Sequence, residues 1–178
     1  MALRTIRIQG DPVLTKVCRP IPEVTDRIRT LAEDMLETMY EANGVGLAAP
    51  QVGILKRMAV IDIGDGQGPF IMINPEIIES SKDTSVYQEG CLSFPDQYSD
   101  VERPKSVTIR YLDEHGAEKT MEADEILATC LQHEIDHTNG VVFVDHISLM
   151  KRDMILRKLK KAKRLGMFEP QPEPVPNR

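Results

Sequence analysis

A chain of 178 residues can bury a single core without disulfide staples, and 41% hydrophobic with 28% charged residues is the make-up of a globular domain in water. No apolar run approaches the roughly 20 residues of a membrane span, and MALRTIRIQG lacks the continuous apolar core of a secretory signal, so a cytoplasmic protein with no membrane partner and no specific DNA partner is expected. The net charge of −6 is uneven: residues 149–165 hold eight Lys or Arg and one Asp, a local +7 that leaves −13 on the rest and marks a candidate contact for something anionic.

In chain order, TIRI (Thr5–Ile8) reads as a short strand that the turn GDP closes. Apolar residues at Ile28, Leu31, Ala32, Met35, Leu36 and Met39 predict an amphipathic helix from Asp26 to Ala42, capped by Thr25 and ended by Asn43-Gly44. RMAVIDI and FIMIN read as strands around the turn GDGQG, and EIIES after Pro75 as another. KSVTIRYL, DEHG and AEKTMEA form a hairpin pattern. Asp124 then caps a second helix, from Glu125 to Thr138, that stops at Asn139-Gly140. VVFV reads as a short strand, Ser148 opens a third helix ending near Gly166, and EPQPEPVPNR has the composition of a disordered tail. The expectation is one catalytic domain over residues 1–166, a tail over 167–178, and an α+β fold of antiparallel strands around a central helix.

The second helix carries the chemistry. Residues four apart share a helix face, so His133 and His137 can reach one metal ion, with Glu134 beside them as a base. A third ligand does not follow at the usual places. Phe143 stands where a metzincin has its third histidine, and no glutamate occurs between Glu134 and Glu169. Asp145 and His146 stay open as third ligands, but they follow a β-rich segment that leaves the helix, and the better candidates lie upstream. Cys130 lies seven residues from His137, about 10.5 Å along the axis, too far for so short a side chain, and reads as a small residue lining core or pocket. Cys18 has no neighbouring site feature. Cys91, in QEGCLSFP, is the favoured cysteine, although spacing alone leaves the choice open.

Three separated motifs resemble, in order, those of the peptide deformylase family: GVGLAAPQVG (Gly44–Gly53), EGCLSFP (Glu89–Pro95) and QHEIDHTNG (Gln132–Gly140). The likeness extends to about Gly166. It implies removal of the formyl group from N-formylmethionyl nascent peptides, with formate released. By the same resemblance Cys91, His133 and His137 hold one divalent metal ion with an open position, and Glu134 is the base. Gln51, through its side chain, and Leu92, through its backbone N–H, stabilise the oxyanion. Val45, Gly46 and Gly90 hold the substrate backbone, and Val45, Tyr87, Ile126, Thr129 and Cys130 surround the methionine side chain. Taken without the resemblance, Gln51 reads as a surface polar residue and GVGLAAP as a small-residue loop. Phe94 stands where the family often has a smaller aliphatic. Arg103 either meets the peptide further along or is solvated, and Gln132 and Asp136 either orient the metal ligands or bond the fold.

The family's association is with Fe2+, while the donor set also suits Zn2+, Ni2+ or Co2+. Iron with a thiolate would make the enzyme oxygen-sensitive. The basic helix is either a solvated face or a docking element for the ribosome through rRNA phosphate. Two other classes share parts of the pattern: a small metalloprotease, which would cleave unformylated peptides, and a noncatalytic metal-binding, ribosome-associated module, which would not need Glu134.

Overall fold

The computed structural model describes residues 2–173. Its elements are α1 (Asp26–Glu41), β1 (Gly46–Ala48), β2 (Met58–Ile61), β3 (Phe70–Ser80), β4 (Thr84–Cys91), β5 (Phe94–Pro104), β6 (Ser106–Leu112), β7 (Glu118–Asp124), α2 (Glu125–Thr138) and α3 (Leu149–Arg164). Three short 3-10 turns punctuate them at Pro12–Thr15, Ala49–Val52 and Phe143–His146. Five strands form an antiparallel sheet in the order β1-β2-β3-β6-β7, and β4 with β5 makes a separate antiparallel ribbon. The α+β expectation holds, with α2 packed among both sheets.

α1 forms where its periodicity places it. Thr25 Oγ1 accepts the Ile28 N–H at 3.4 Å, and Asn43 ends the helix in the left-handed region (φ 56°). Its apolar stripe, Ile28, Leu31, Ala32, Met35 and Met39, packs on Leu47, Met58, Val60 and Ile73. A second cluster joins α2, through Ala128, Leu131 and Ile135, to Ile61, Met72, Val107, Ile109 and Ala123. A third seats Phe94 and Val101 of β5 against Val142–Val144 and against Ile155 and Leu159 of α3.

Several local expectations need correction. FIMIN and EIIES are one strand, β3, because Pro75 falls at a bulge between Ile73 and Glu76, where its missing N–H leaves no gap in the ladder. TIRI is not a strand. Its neighbourhood bonds irregularly: the Arg4 N–H donates to Thr38 Oγ1 at 3.0 Å and the Arg7 N–H to the Gln51 carbonyl at 2.6 Å, so no ladder forms. VVFV is not a strand either. Asp145 Oδ2 accepts the Val142 N–H at 3.0 Å and curls Phe143–His146 into a 3-10 turn whose Phe143 and Val144 are buried. Asp124 precedes α2 as expected but does not cap it with its side chain; the Glu125 N–H instead donates to the Lys105 carbonyl at 3.1 Å. Ser148 does cap α3, accepting the Lys151 N–H at 3.2 Å, and Gly166 follows the helix with φ 67°. Of the proline-rich tail, Gln171 Oε1 accepts the Ile8 N–H and the Glu173 carbonyl accepts from Arg7; residues 174–178 lie outside the described residues. No helix among those described is long and apolar enough to cross a membrane.

Candidate metal centre and cleft

β4 delivers Cys91 to a tight reversal in which Cys91 pairs with Phe94, and α2 brings His133 and His137 to face it. One atom from each of the three lies within 4.8 Å of the others, and Cys91 Sγ is 3.3 Å from His137 Nε2. One nitrogen of His133 is committed: its Nδ1–H donates to Glu89 Oε1 at 2.9 Å, which leaves Nε2 for Cys91 or for a metal ion. One thiolate sulfur and two imidazole nitrogens converging from two elements, with a carboxylate behind one imidazole, fit a divalent cation. No other such grouping of His, Cys, Asp and Glu is found among the described residues.

Buried charge sets the electrostatics. Burial pushes the Glu89 carboxyl upward, but bonds from His133 and Arg103 outweigh it and hold the group at about 2. Burial pulls His133 down, yet its bonds to Cys91 and Glu89 raise it well above the ordinary value. His137 is held well below that value by burial and by the neighbouring His133. Glu134 is pushed up by burial to about 7. Its Oε1 is 3.9 Å from His133 Nε2, and its Oε2 is buried without a partner.

Two close approaches shape the floor. A Cβ on Gly46 would stand 2.5 Å from Glu134 Oε1, so only glycine lets β1 pass the carboxylate. Gln51 is oriented from three sides: its Oε1 accepts the Ala48 N–H at 2.9 Å, and its Nε2 lies 3.1 Å from Ser93 Oγ and 3.4 Å from Cys91 Sγ. A buried amide so placed is not the surface residue that isolated reading suggests.

Above this floor lies a cleft of about 630 Å3. Gln51, Cys91, Leu92, His133 and Glu134 line it together with Val45, Gly46, Tyr87, Gly90, Ile126, Thr129 and Cys130. Burial pushes the Cys130 thiol up to about 12, so it contributes as a small neutral wall. Phe94 lines the cleft while packing edge-on against Phe143, ring centroids 5.1 Å apart. Tyr87 turns its hydroxyl to the Glu125 carboxylate.

Arg103 departs from both of its sequence readings. It is neither solvated nor in the cleft wall: it is buried, bonded to Glu89 at 2.6 and 2.9 Å and to Asp136 at 2.8 Å. Gln132 bonds the fold, donating to the Pro104 carbonyl at 2.9 Å, whereas Asp136 joins Arg103 and His146. Sequence reading missed Glu89 and Ser93. The signal for Glu89 was present, since Tyr87, Glu89 and Cys91 alternate onto one face of β4.

The sequence profile of the polypeptide deformylase family matches residues 3–153. A peptide deformylase of Rhizobium meliloti is 52% identical over 165 residues, covering 91% of this chain and 95% of the relative. One of Agrobacterium fabrum is 53% identical over 167 residues, covering 92% and 98%. The crystal structure of a peptide deformylase from Legionella pneumophila superposes with a TM-score of 0.88 at 45% identity, covering 95% of this chain and 100% of that one.

Proposed function

The chain belongs to the polypeptide deformylase family and hydrolyses the formyl group from N-formylmethionyl peptides, and we propose that the residues at the cleft floor divide this reaction among them as follows. Cys91, His133 and His137 hold the metal, and Fe2+ is the native ion. When bound, a divalent cation there supplies Lewis acidity that polarises the formyl carbonyl and acidifies water. Glu134, poised near neutrality by burial, takes a proton from the attacking water and returns it to the departing amine. The Gln51 amide, its oxygen anchored by Ala48, presents an N–H to the developing oxyanion, and the Leu92 backbone N–H is the second donor.

Strand edges support the way the substrate docks. Among the described residues β1 pairs only with β2, and β4 only with β5, so each has one edge without a ladder there. Gly46 and Gly90 on these strands line the cleft, and an extended peptide lies between them with Val45 beside it. The methionine side chain points toward Tyr87, Ile126, Thr129 and Cys130. The observation that carries the reading is the convergence of Cys91, His133 and His137 beside Glu134 on the floor of that cleft. The test is formate release from formyl-Met-Ala by anaerobically prepared protein, compared with Glu134→Gln and Cys91→Ala. Turnover lost in both variants supports the assignment; cleavage of unformylated peptides instead would favour a protease.

A second observation bears on partners. α3 buries only Ile155 and Leu159 and turns its lysines and arginines outward. We infer that it docks the cytoplasmic enzyme on ribosomal RNA near emerging chains. Deleting residues after Ser148 should abolish salt-sensitive co-sedimentation with ribosomes; unchanged binding would sink the idea.

A further inference from the structure

Four ionisable side chains from four elements run in a line away from His133. Glu89 of β4 accepts its Nδ1–H at 2.9 Å. Arg103 of β5 grips both Glu89 oxygens, from Nε at 2.6 Å and from Nη2 at 2.9 Å, and its Nη1 donates to Asp136 Oδ2 of α2 at 2.8 Å. The same Oδ2 is 2.8 Å from Nε2 of His146, in the turn Phe143–His146. Side chains of Glu89 and Arg103 are each 4% exposed, whereas that of His146 is 35% exposed, so the line runs from a buried imidazole to the surface.

The guanidinium is a rigid planar fork, so whatever holds its Nη1 edge also limits how it can tilt against Glu89. Asp136 holds that edge through one oxygen. Without His146 the line of one cation and two carboxylates ends in a partly exposed carboxylate with a single partner, free to swing toward water. Arg152 of α3 faces Asp145 at 3.7 Å.

We propose that His146 is a positioning residue for His133, acting through Asp136, Arg103 and Glu89: by pinning Asp136 against Arg103 it keeps the guanidinium on Glu89 and the His133 ring turned with Nε2 toward Cys91. The proposal rests on Cys91, His133 and His137 being metal ligands, and its test reads the metal rather than turnover. The full-length protein is loaded with Ni2+, and transfer of the ion to excess EDTA is followed by loss of thiolate-to-nickel absorption. Partners directly behind a metal ligand are worth roughly 10- to 100-fold in affinity. Three links further out, His146→Ala should release nickel about fivefold faster than the parent, and His146→Gln, whose amide N–H can replace the imidazole donor, should stay within about twofold of it. Thermal midpoints of the metal-free proteins should coincide. Release from His146→Ala within twofold of the parent would overturn the proposal alone. Equal acceleration in both variants, with lowered metal-free midpoints, would reduce His146 to a fold contact and overturn it too. A parent that takes up no nickel would overturn the metal-site reading and this inference with it.

Discussion

Helix α2 buries nine of its fourteen residues, whereas α3, with sixteen, buries two. The nine include His133, Glu134 and His137, each in surroundings that shift its proton affinity. On α3 the charges face water, where exposed groups interact weakly with one another and act on a partner as a field. Burial turns ionisable side chains into chemistry; exposure leaves them as electrostatics. The two helices should therefore answer substitution in opposite ways.

The largest effect should come from Glu134→Gln. Removing a proton-transfer group should lower kcat/KM by about a thousandfold, with metal content unchanged by elemental analysis, while Cys91→Ala should lose the metal as well. Next in size, Gly46→Ala brings a methyl against Glu134 Oε1 and should lower kcat roughly 10- to 100-fold, because small misplacements of a reacting group are costly. Its metal content should match the parent's.

Stability sharpens the contrast further. Arg103→Met strands Glu89 and Asp136 and should cost about 3–5 kcal/mol in urea unfolding, the range for breaking a buried ion pair from one side. In the parent, Glu89 is ionised down to about pH 2 when folded, against an ordinary value of 4.5. Its contribution is thus complete above pH 4.5 and lost as pH falls through 2, a slope that Glu89→Gln should flatten. Glu134 has the opposite sign: its folded value, about 7, lies above the ordinary 4.5, so stability is complete below 4.5 and lost as pH rises through 7. Metal-free Glu134→Gln should therefore be more stable than the metal-free parent at pH 8, by up to about 3 kcal/mol, and equal to it at pH 4. Smallest of all, paired Lys→Glu changes at Lys160 and Lys161 should alter stability by less than about 0.5 kcal/mol and leave kcat untouched, while weakening ribosome co-sedimentation.

What could be read from the sequence follows the same division. α1, α2 and α3 were legible because helix periodicity and caps are local, and the hairpin β6–β7 because the turn DEHG follows the β-rich run KSVTIRYL. The ribbon β4–β5 was not foreseen as such: TSVYQ and QYSDVER carry too many polar residues to look like strands, and their pairing with each other, from Thr84–Pro104 to Gly90–Tyr98, is what makes them so. TIRI and VVFV misled for the converse reason, being β-rich runs whose N–H groups find side chains and turns rather than a neighbouring strand: Arg7 donates to the Gln51 carbonyl, Ile8 to the Gln171 side chain and Val142 to Asp145. The histidines and Glu134 were visible through their helical spacing. Cys91 was the favoured cysteine from its own neighbours, but naming it as the third ligand needed the family resemblance, since the approach of β4 to α2 is tertiary. Arg103 misled because nothing local distinguishes a solvated arginine from one locked between Glu89 and Asp136.

The reversal at Cys91 has a consequence for the life of the protein in the cell. An ion held by Cys91 and by α2 would tie together points about 40 residues apart, and because the unfolded chain has no such site, its binding free energy adds to the free energy of folding. Free ion stabilises the native chain by mass action. Copies that fail to capture it should open more often and be the first that proteases remove, so metal supply should set enzyme abundance as well as activity.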